Sequence, residues 1–149
     1  MTNRKTTPSF LHHHSLGIAA VFILGTWIVL YSISSHKTHV GSFFGNAIAD
    51  WSGVVVVVFA TKYMYERGSA ESRRPPHPLL RSVWQPLQEH SLTIFLVITG
   101  VAWVAFYAAL DSEAKWGQVV GNIVSEWTQI LGLILMTKRL REQRSKESK

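Results

Sequence analysis

The sequence predicts an all-α integral membrane protein whose four spanning helices form two tandem helical-hairpin repeats that run parallel to each other. Three observations predict this fold. Only 16% of the 149 residues are charged and 47% are apolar, whereas soluble domains typically carry ~25% charged residues. Four apolar stretches of 18–20 residues each approach the ~20 residues that cross the hydrocarbon core as a helix. The second half of the chain also repeats the first.

The apolar stretches predict spans at about 16–33, 43–61, 91–110 and 119–137. The first repeat then covers 1–73, and the second covers 90–149 and ends in a basic tail. Between them, 74–89 forms a linker and interfacial segment, because its prolines break a helix and its tryptophan favours the membrane surface. We expect the first span to be retained, since its repeat counterpart is internal and is no signal peptide.

Positive charge is distributed unevenly over the loops. Thirteen of the fifteen Lys and Arg residues precede the first span, separate the second from the third, or follow the fourth; only Lys37 and Lys115 fall in the other two loops. By the positive-inside rule this bias places both termini and the central loop in the cytoplasm, with the spans in the cell inner membrane. The net charge of +6 therefore points to anionic lipid headgroups as a partner, and not to nucleic acid.

The repeat is visible when the chain is compared with itself. A shift of 76 residues aligns His14 with His90 and continues without a gap to the end, with 17 identities in 60 pairs. The identities include tryptophan, tyrosine, glycine and asparagine pairs: Trp27 with Trp103, Tyr31 with Tyr107, Gly45 with Gly121, and Asn46 with Asn122. Each repeat contains an even number of spans, so both enter the membrane in the same direction, related by a pseudo-twofold axis along its normal.

The second span of each repeat carries a related motif. Asp50-Trp51 is followed by Glu66-Arg67-Gly68-Ser69-Ala70-Glu71-Ser72-Arg73, and Glu126-Trp127 by Arg144-Ser145-Lys146-Glu147-Ser148-Lys149. These segments resemble a bacterial family of small multi-pass membrane proteins of unknown function. That family has a Trp and acidic motif before a span and a Gly-Ser-(Ala or Pro)-Glu-Ser-Lys tail after it. The resemblance implies a membrane protein and supplies no chemistry to transfer.

Polar side chains within the spans form a candidate ion or polar-contact site. Its members are repeat-related pairs: Asp50 and Glu126, Asn46 and Asn122, and Tyr31 and Tyr107. Helical spacing puts the asparagines on the same faces as the acids. The tyrosines on the neighbouring helices either belong to an aromatic belt at the outer interface, which is favoured, or donate their hydroxyls to the carboxylates. These faces should point into the protein, because a charge at the bilayer centre costs ~2.5–3.5 kcal/mol on insertion scales.

Three interpretations of the two acids stay open. In the first, which the sequence favours, each acid starts a helix at the membrane surface and is hydrated there. In the second, the acids make structural polar contacts that hold hairpins or subunits together. In the third, the paired carboxylates bind a cation or a proton.

Histidine is the other residue type that could carry chemistry. His14 and His90 are repeat equivalents and are weak candidates for ligating a haem b or a metal; no further cofactor is indicated. The chain contains no cysteine and no nucleotide-binding loop or zinc-protease motif. We therefore expect a non-enzymatic accessory or scaffold module that acts in a membrane complex or as a homo-oligomer. The alternatives are a small oligomeric cation or proton channel that uses the two acids and, after it, a haem-binding membrane protein.

Overall fold

The computed structural model describes residues 10–72, 84–111 and 113–140, and this part of the chain is all-helical. It contains five helices in the order α1 (Phe10–Ile33), α2 (His39–Tyr63), α3 (Gln85–Glu89), α4 (Ser91–Ala109) and α5 (Lys115–Met136). The prediction of four helices that are long and apolar enough to cross a membrane is confirmed, for α1, α2, α4 and α5. Most of the predicted linker, 74–83, lies outside the described residues.

Three of the four long helices begin earlier than the hydropathy of the chain predicts, and α1 begins at Phe10 rather than near 16. α2 begins at His39 rather than near 43, because Thr38 caps it: the Thr38 hydroxyl accepts a hydrogen bond of 3.1 Å from the Gly41 N–H. α5 begins at Lys115 rather than near 119. The short α3 contains Pro86 in its first turn, where the missing N–H has no helical partner to lose.

The four long helices form a row in the order α1, α2, α5, α4. α1 packs on α2, α4 packs on α5, and α2 packs on α5. The middle pair is also the more buried: one third of the most apolar window of α2 and of α5 is buried, against 17% for α1 and 11% for α4. The outer helices instead expose large apolar side chains, such as Phe22 on α1 and Val101 on α4, which is the pattern expected of a surface that faces lipid.

The core lies between α2, α4 and α5. Ile48, Ile123 and Ile134 are among its buried side chains. Trp127 joins α5 to α4, because its indole lies edge-on against that of Trp103 at a centroid distance of 5.8 Å. The Trp127 N–H donates to the Thr99 hydroxyl at 2.9 Å, so the one polar atom of this buried ring is satisfied.

The two hairpins point the same way. At one end of the bundle, the Lys115 ammonium at the start of α5 donates to the carbonyls of Ser32 (3.0 Å) and Ser34 (2.7 Å) at the end of α1. We call this the loop end, because it holds the α1–α2 and α4–α5 connections. At the opposite end, which we call the terminal end, Lys138 after α5 contacts Glu66 after α2.

Candidate functional site

A polar cleft opens at the loop end between α2 and α5. It encloses about 630 Å³ and is lined by amide, phenol and carboxylate side chains together with glycines, including Tyr31, Gly45, Asn46, Tyr107, Glu113, Gln118, Gly121 and Asn122. Four of the six predicted site residues are therefore brought together here: the two asparagines and the two tyrosines. The amide of Asn122 donates to the amide oxygen of Asn46 at 2.6 Å, so these repeat-equivalent side chains join the two central helices.

Tyr31 does not make the hydrogen bond to a carboxylate that is one of the two interpretations of the tyrosines. The Tyr31 hydroxyl donates to the backbone carbonyl of Lys115, and not to a carboxylate, and the Tyr31 side chain is buried. Its ring lies against Gly45, where an added Cβ would come within 3.2 Å of it, and the Tyr107 ring lies against Gly121 in the same way, at 3.0 Å. The tyrosines are thus used mainly to pack each outer helix on its central neighbour.

The two acids lie deep in their helices. Asp50 is the twelfth of 25 residues in α2, and Glu126 is the twelfth of 22 in α5. At 1.5 Å per residue each is about 16 Å from the start of its helix. The favoured interpretation of an acid that starts a helix is therefore wrong, because α2 and α5 both begin about three turns before the acid.

Only one of the acids points into the protein. Glu126 lies against Gly53 so closely that an added Cβ on that glycine would come within 2.5 Å of the Glu126 carboxylate. The Asp50 side chain, by contrast, is exposed on the surface of the single chain. The prediction that both acidic faces turn inward is thus wrong for Asp50, since α2 turns its buried side, at Ile48 and Ala49, towards the core.

The cleft is suited to polar solutes or cations and does not continue through the bundle. Its donors and acceptors are amides and phenols, with the Glu113 carboxylate at the rim. Below the Asn46–Asn122 contact, the centre of the bundle is filled by apolar side chains such as Ile123 and Ile130. Within the described residues, no group of three or more His, Cys, Asp or Glu side chains could hold a metal ion.

A buried carboxylate organises the terminal end. The Glu66 side chain is fully buried, and one of its oxygens accepts hydrogen bonds from Lys138 (2.5 Å) and from His90 (2.7 Å). Its other oxygen accepts the backbone N–H of Thr93 at 3.2 Å. Thr93 lies in the first turn of α4, whose N–H groups have no partner within the helix, so Glu66 caps this helix from another hairpin.

The hydrogen bonds keep Glu66 ionised in spite of its burial. Burial by itself raises the pKa of this carboxyl, but hydrogen bonds from Lys138, Thr93 and His90 outweigh that effect. The pKa of Glu66 therefore lies below its ordinary value of 4.5. We call Glu66, His90, Thr93 and Lys138 the Glu66 cluster.

The chain after α2 folds back to support this cluster. Gly68 adopts a φ of +92°, a conformation that residues with a Cβ rarely adopt. This turn lets the Ser72 hydroxyl accept the backbone N–H of Glu66 at 3.1 Å and brings the Ser69 hydroxyl to 3.0 Å from that of Thr137. The Gly-Ser-Ala-Glu-Ser segment is therefore a structural clamp between the end of α2 and the end of α5.

The two predicted haem or metal candidates have other partners. His90 Nδ1 contacts the Glu66 carboxylate, and His14 Nδ1 lies 2.9 Å from the ammonium of Lys62. The Nδ1 atom of each histidine is therefore already in contact with a neighbouring side chain. No observation pairs the two imidazoles as ligands of one group.

Sequence reasoning missed the Glu66 cluster and the role of Lys115. Repeat-equivalent identities did contain a signal for the cluster, because His14 with His90, Lys62 with Lys138 and Glu66 with Glu142 all align. No comparable signal exists for Lys115, whose counterpart in the first repeat is a histidine.

Comparison of the chain with known proteins finds no relative. No model of a known protein family matches it, and neither curated proteins nor solved structures include a significant match.

Proposed function

We propose that this chain is a multi-pass inner-membrane protein that serves as a non-enzymatic accessory or scaffold module. The observation that carries the proposal is the use of the polar side chains: they hold helices together. Asn122 is hydrogen-bonded to Asn46, and Tyr31 is hydrogen-bonded to the backbone of α5. At the terminal end, Glu66 joins the chain after α2 to the start of α4 and to Lys138 after α5. A pathway across the bundle would need such groups to line it instead.

The orientation follows from charge and from the positions of the helix ends. The described part of the terminal end contains Lys62, Arg67, Lys138 and Arg139, whereas the loop end contains Lys37 and Lys115. The first set is joined in the sequence by further Arg and Lys residues in 73–83 and 141–149, so we assign the terminal end to the cytoplasm. Its exposed cations would bind anionic headgroups of the inner leaflet.

The topology is open to a direct test. Reporter fusions at Arg74 and Lys149 should be active as cytoplasmic reporters, and one at Lys37 should be active as a periplasmic reporter. The opposite result would overturn the assignment of both ends.

Tandem duplication of one hairpin accounts for the paired contacts. Tyr31 lies on Gly45 as Tyr107 lies on Gly121. The second tyrosine–glycine pair follows the first by 76 residues, which is the shift that aligns the two halves. The Asn46–Asn122 hydrogen bond spans the same 76 residues, as expected for a contact across a pseudo-twofold axis between α2 and α5. Membership of the small-membrane-protein family is supported by the Trp and acidic motifs and by the tails Ser69-Ala70-Glu71-Ser72 and Ser145-Lys146-Glu147-Ser148.

Flux measurements on purified protein in proteoliposomes test the scaffold function. We expect no cation or proton flux above that of empty vesicles, and a complex larger than the monomer when native membranes are solubilised mildly and sized. Robust flux that is abolished by Asp50→Asn would contradict the proposal. Lys37→Gln, in the exposed α1–α2 connection, is the control that should leave the measurement unchanged.

One observation favours an oligomeric cation or proton channel as the second candidate. Asp50 is exposed in the middle of α2, where lipid contact would cost ~2.5–3.5 kcal/mol, so a second subunit that covers it would bring the acids of both copies together. If Asp50 and Glu126 share one ion, Asp50→Asn, Glu126→Gln and the double variant should lose flux equally. Independent sites would give separate and additive losses.

A further inference from the structure

The Lys115 ammonium is bound at the loop end by a set of groups that suits a primary amine. It lies 4.9 Å from the centre of the Tyr31 ring and donates to the carbonyls of Ser32 (3.0 Å) and Ser34 (2.7 Å). The face of an aromatic ring attracts a cation, and the end of a helix adds partial negative charge through carbonyls that have no partner within the helix. The protein therefore already binds one ammonium group in this way, and its own chain supplies that group.

The end of α4 has a similar set of groups without a lysine. The shift of 76 residues places Tyr107 in register with Tyr31, and it places His39 in register with Lys115. Tyr107 lines the polar cleft at the loop end, whereas His39 does not. Tyr31 is buried, but Tyr107 is 38% exposed, and within the described residues no hydrogen bond engages the Tyr107 hydroxyl. The Tyr107 ring is therefore accessible from the cleft.

Glu113 adds a negative charge to the same cleft. It is the one charged side chain among the described residues that line the cleft, and its carboxylate forms no ion pair with any residue that the structure describes. In the first hairpin the equivalent position is Lys37, so the two connections differ in the sign of their charge there. The cleft volume of about 630 Å³ lies within the ~300–1,000 Å³ of small-molecule sites. The cleft thus has room for a small solute and favours a cationic one.

We propose that this cleft binds a small primary amine in its protonated form, with the ammonium group between the Tyr107 ring and the Glu113 carboxylate. The ligand takes at the end of α4 the place that Lys115 takes at the end of α1. The amides of Asn46 and Asn122 line the same cleft, so a hydroxyl or another polar group on the rest of the ligand finds partners there. The register comes from the tandem duplication proposed above, and the site does not depend on the scaffold role.

A free amino alcohol and the headgroup of an ethanolamine phospholipid share this chemistry. Flow dialysis of labelled ethanolamine, with the purified protein in micelles of a neutral detergent, tests the site itself. We expect saturable binding with a dissociation constant of roughly 1–10 mM, because a ligand of so few atoms makes few contacts. Tetramethylammonium has no N–H to donate and should compete about tenfold less well than unlabelled ethanolamine. Absence of saturable binding, or equal competition by the two cations, would overturn the proposal.

The lipid source is distinguished by a second competition. Short-chain phosphatidylethanolamine added to the micelles should displace the labelled amine more effectively than phosphatidylcholine of the same chain length if the headgroup is the natural ligand. Equal and weak displacement by the two lipids would assign the site to a soluble amine. Both results support an ammonium site, and they differ only in the molecule that carries the ammonium.

Variants of the cleft and of its surroundings locate the bound amine. Glu113→Gln should weaken binding by about fivefold, because the hydrogen bond to the ammonium loses its charge. The matched control is Asp111→Asn, which removes an acid of the same connection from outside the cleft lining and keeps an oxygen to accept the Glu113 N–H; it should change the affinity by less than about twofold at moderate ionic strength. Equal losses for the two variants would refute the site, since net charge alone would then explain the binding.

The contribution of the ring is tested at Tyr107. Tyr107→Leu should weaken binding, whereas Tyr107→Phe keeps an aromatic face and should retain most of the affinity. Unfolding in micelles establishes beforehand that each variant is folded. Binding that is unchanged in folded Tyr107→Leu would overturn the placement of the ammonium, and the scaffold role would stand or fall separately by the flux measurements.

Discussion

Replacement of Glu66 by alanine should cost far more stability than an ordinary change outside the spanning helices. The change removes the acceptor of three hydrogen bonds, from Lys138, His90 and the Thr93 N–H. Losing one partner of a buried ion pair typically costs ~3–5 kcal/mol. The Lys138 and His90 side chains are 25% and 43% exposed, so water can recover part of this loss. We expect a decrease of about 2–4 kcal/mol in the free energy of unfolding. Lys138 and His90 would lose their acceptor and be only partly rehydrated, and the first turn of α4 would lose its cap.

Glu89→Ala is the matched control. Glu89 also accepts hydrogen bonds from a cation and a neutral side chain, here Arg67 and Gln85, but the Arg67 side chain is 68% exposed. The Glu89 side chain is itself only 11% exposed, but its charged partner lies largely in water, which makes such a pair weaker than a fully buried one. The loss should therefore be several times smaller than for Glu66→Ala.

Unfolding in mixed detergent micelles, followed by tryptophan fluorescence, measures both changes because the chain has six tryptophans. Equal losses for the two alanine variants would refute the reasoning, since they would show that burial of Glu66 adds nothing to its contacts. Glu66→Gln should fall between the wild type and Glu66→Ala, because its amide oxygen can still accept one donor while the charge is lost.

Three further predictions concern pH and the central helices. The pKa of Glu66 is lowered in the folded state, so its contribution to stability is present above about pH 4.5 and is lost as the pH falls through the folded-state pKa. The difference in free energy of unfolding between the wild type and Glu66→Gln should therefore shrink on acidification. A constant difference would contradict this. A double-mutant cycle of Asn46→Ala and Asn122→Ala in micelles should give a coupling of ~0.6–1.7 kcal/mol, as for other hydrogen bonds between membrane helices; zero coupling would mean that the contact is not formed. Gly53→Ala should raise the free energy of unfolding by ~0.5–1 kcal/mol in a chain that carries Glu126→Ala, because alanine is favoured over glycine inside a helix, and by less in the wild type, where the new methyl group has to displace the end of the Glu126 side chain; equal gains in both backgrounds would contradict the close contact.

The helices themselves could be predicted from the sequence, because the length of an apolar stretch is a local property. Their ends could not be placed by hydropathy: α2 and α5 each begin four residues before the predicted spans. Thr38 provides a cap that moves the start of α2, and α5 gains its first turn where Lys115 reaches the carbonyls of α1. Both effects depend on groups outside the apolar stretch.

The candidate site was less accessible to sequence reasoning than the fold. The equivalence of Asn46 and Asn122 was visible in the repeat, but only the packing of α2 on α5 shows that they touch. The Glu66 cluster joins residues that are 24 and 72 positions apart, and charged residues outside a span are expected to be hydrated by default. A buried acid at this place therefore contradicts the usual expectation: the repeat identities mark the residues of the cluster, but only the three-dimensional arrangement shows that Glu66 is buried.

Each hairpin supplies hydrogen-bond partners to backbone groups at the end of a helix in the other hairpin. Lys115 of the second hairpin satisfies carbonyls at the end of α1, while Tyr65 and Glu66 of the first accept the first-turn N–H groups of Leu92 and Thr93 in α4. Neither hairpin can separate without leaving such groups unpaired, at ~1–3 kcal/mol each where no water reaches them. Unfolding should therefore be a single cooperative transition, and a chain cut within 73–83 should regain its fold only when both halves are present together.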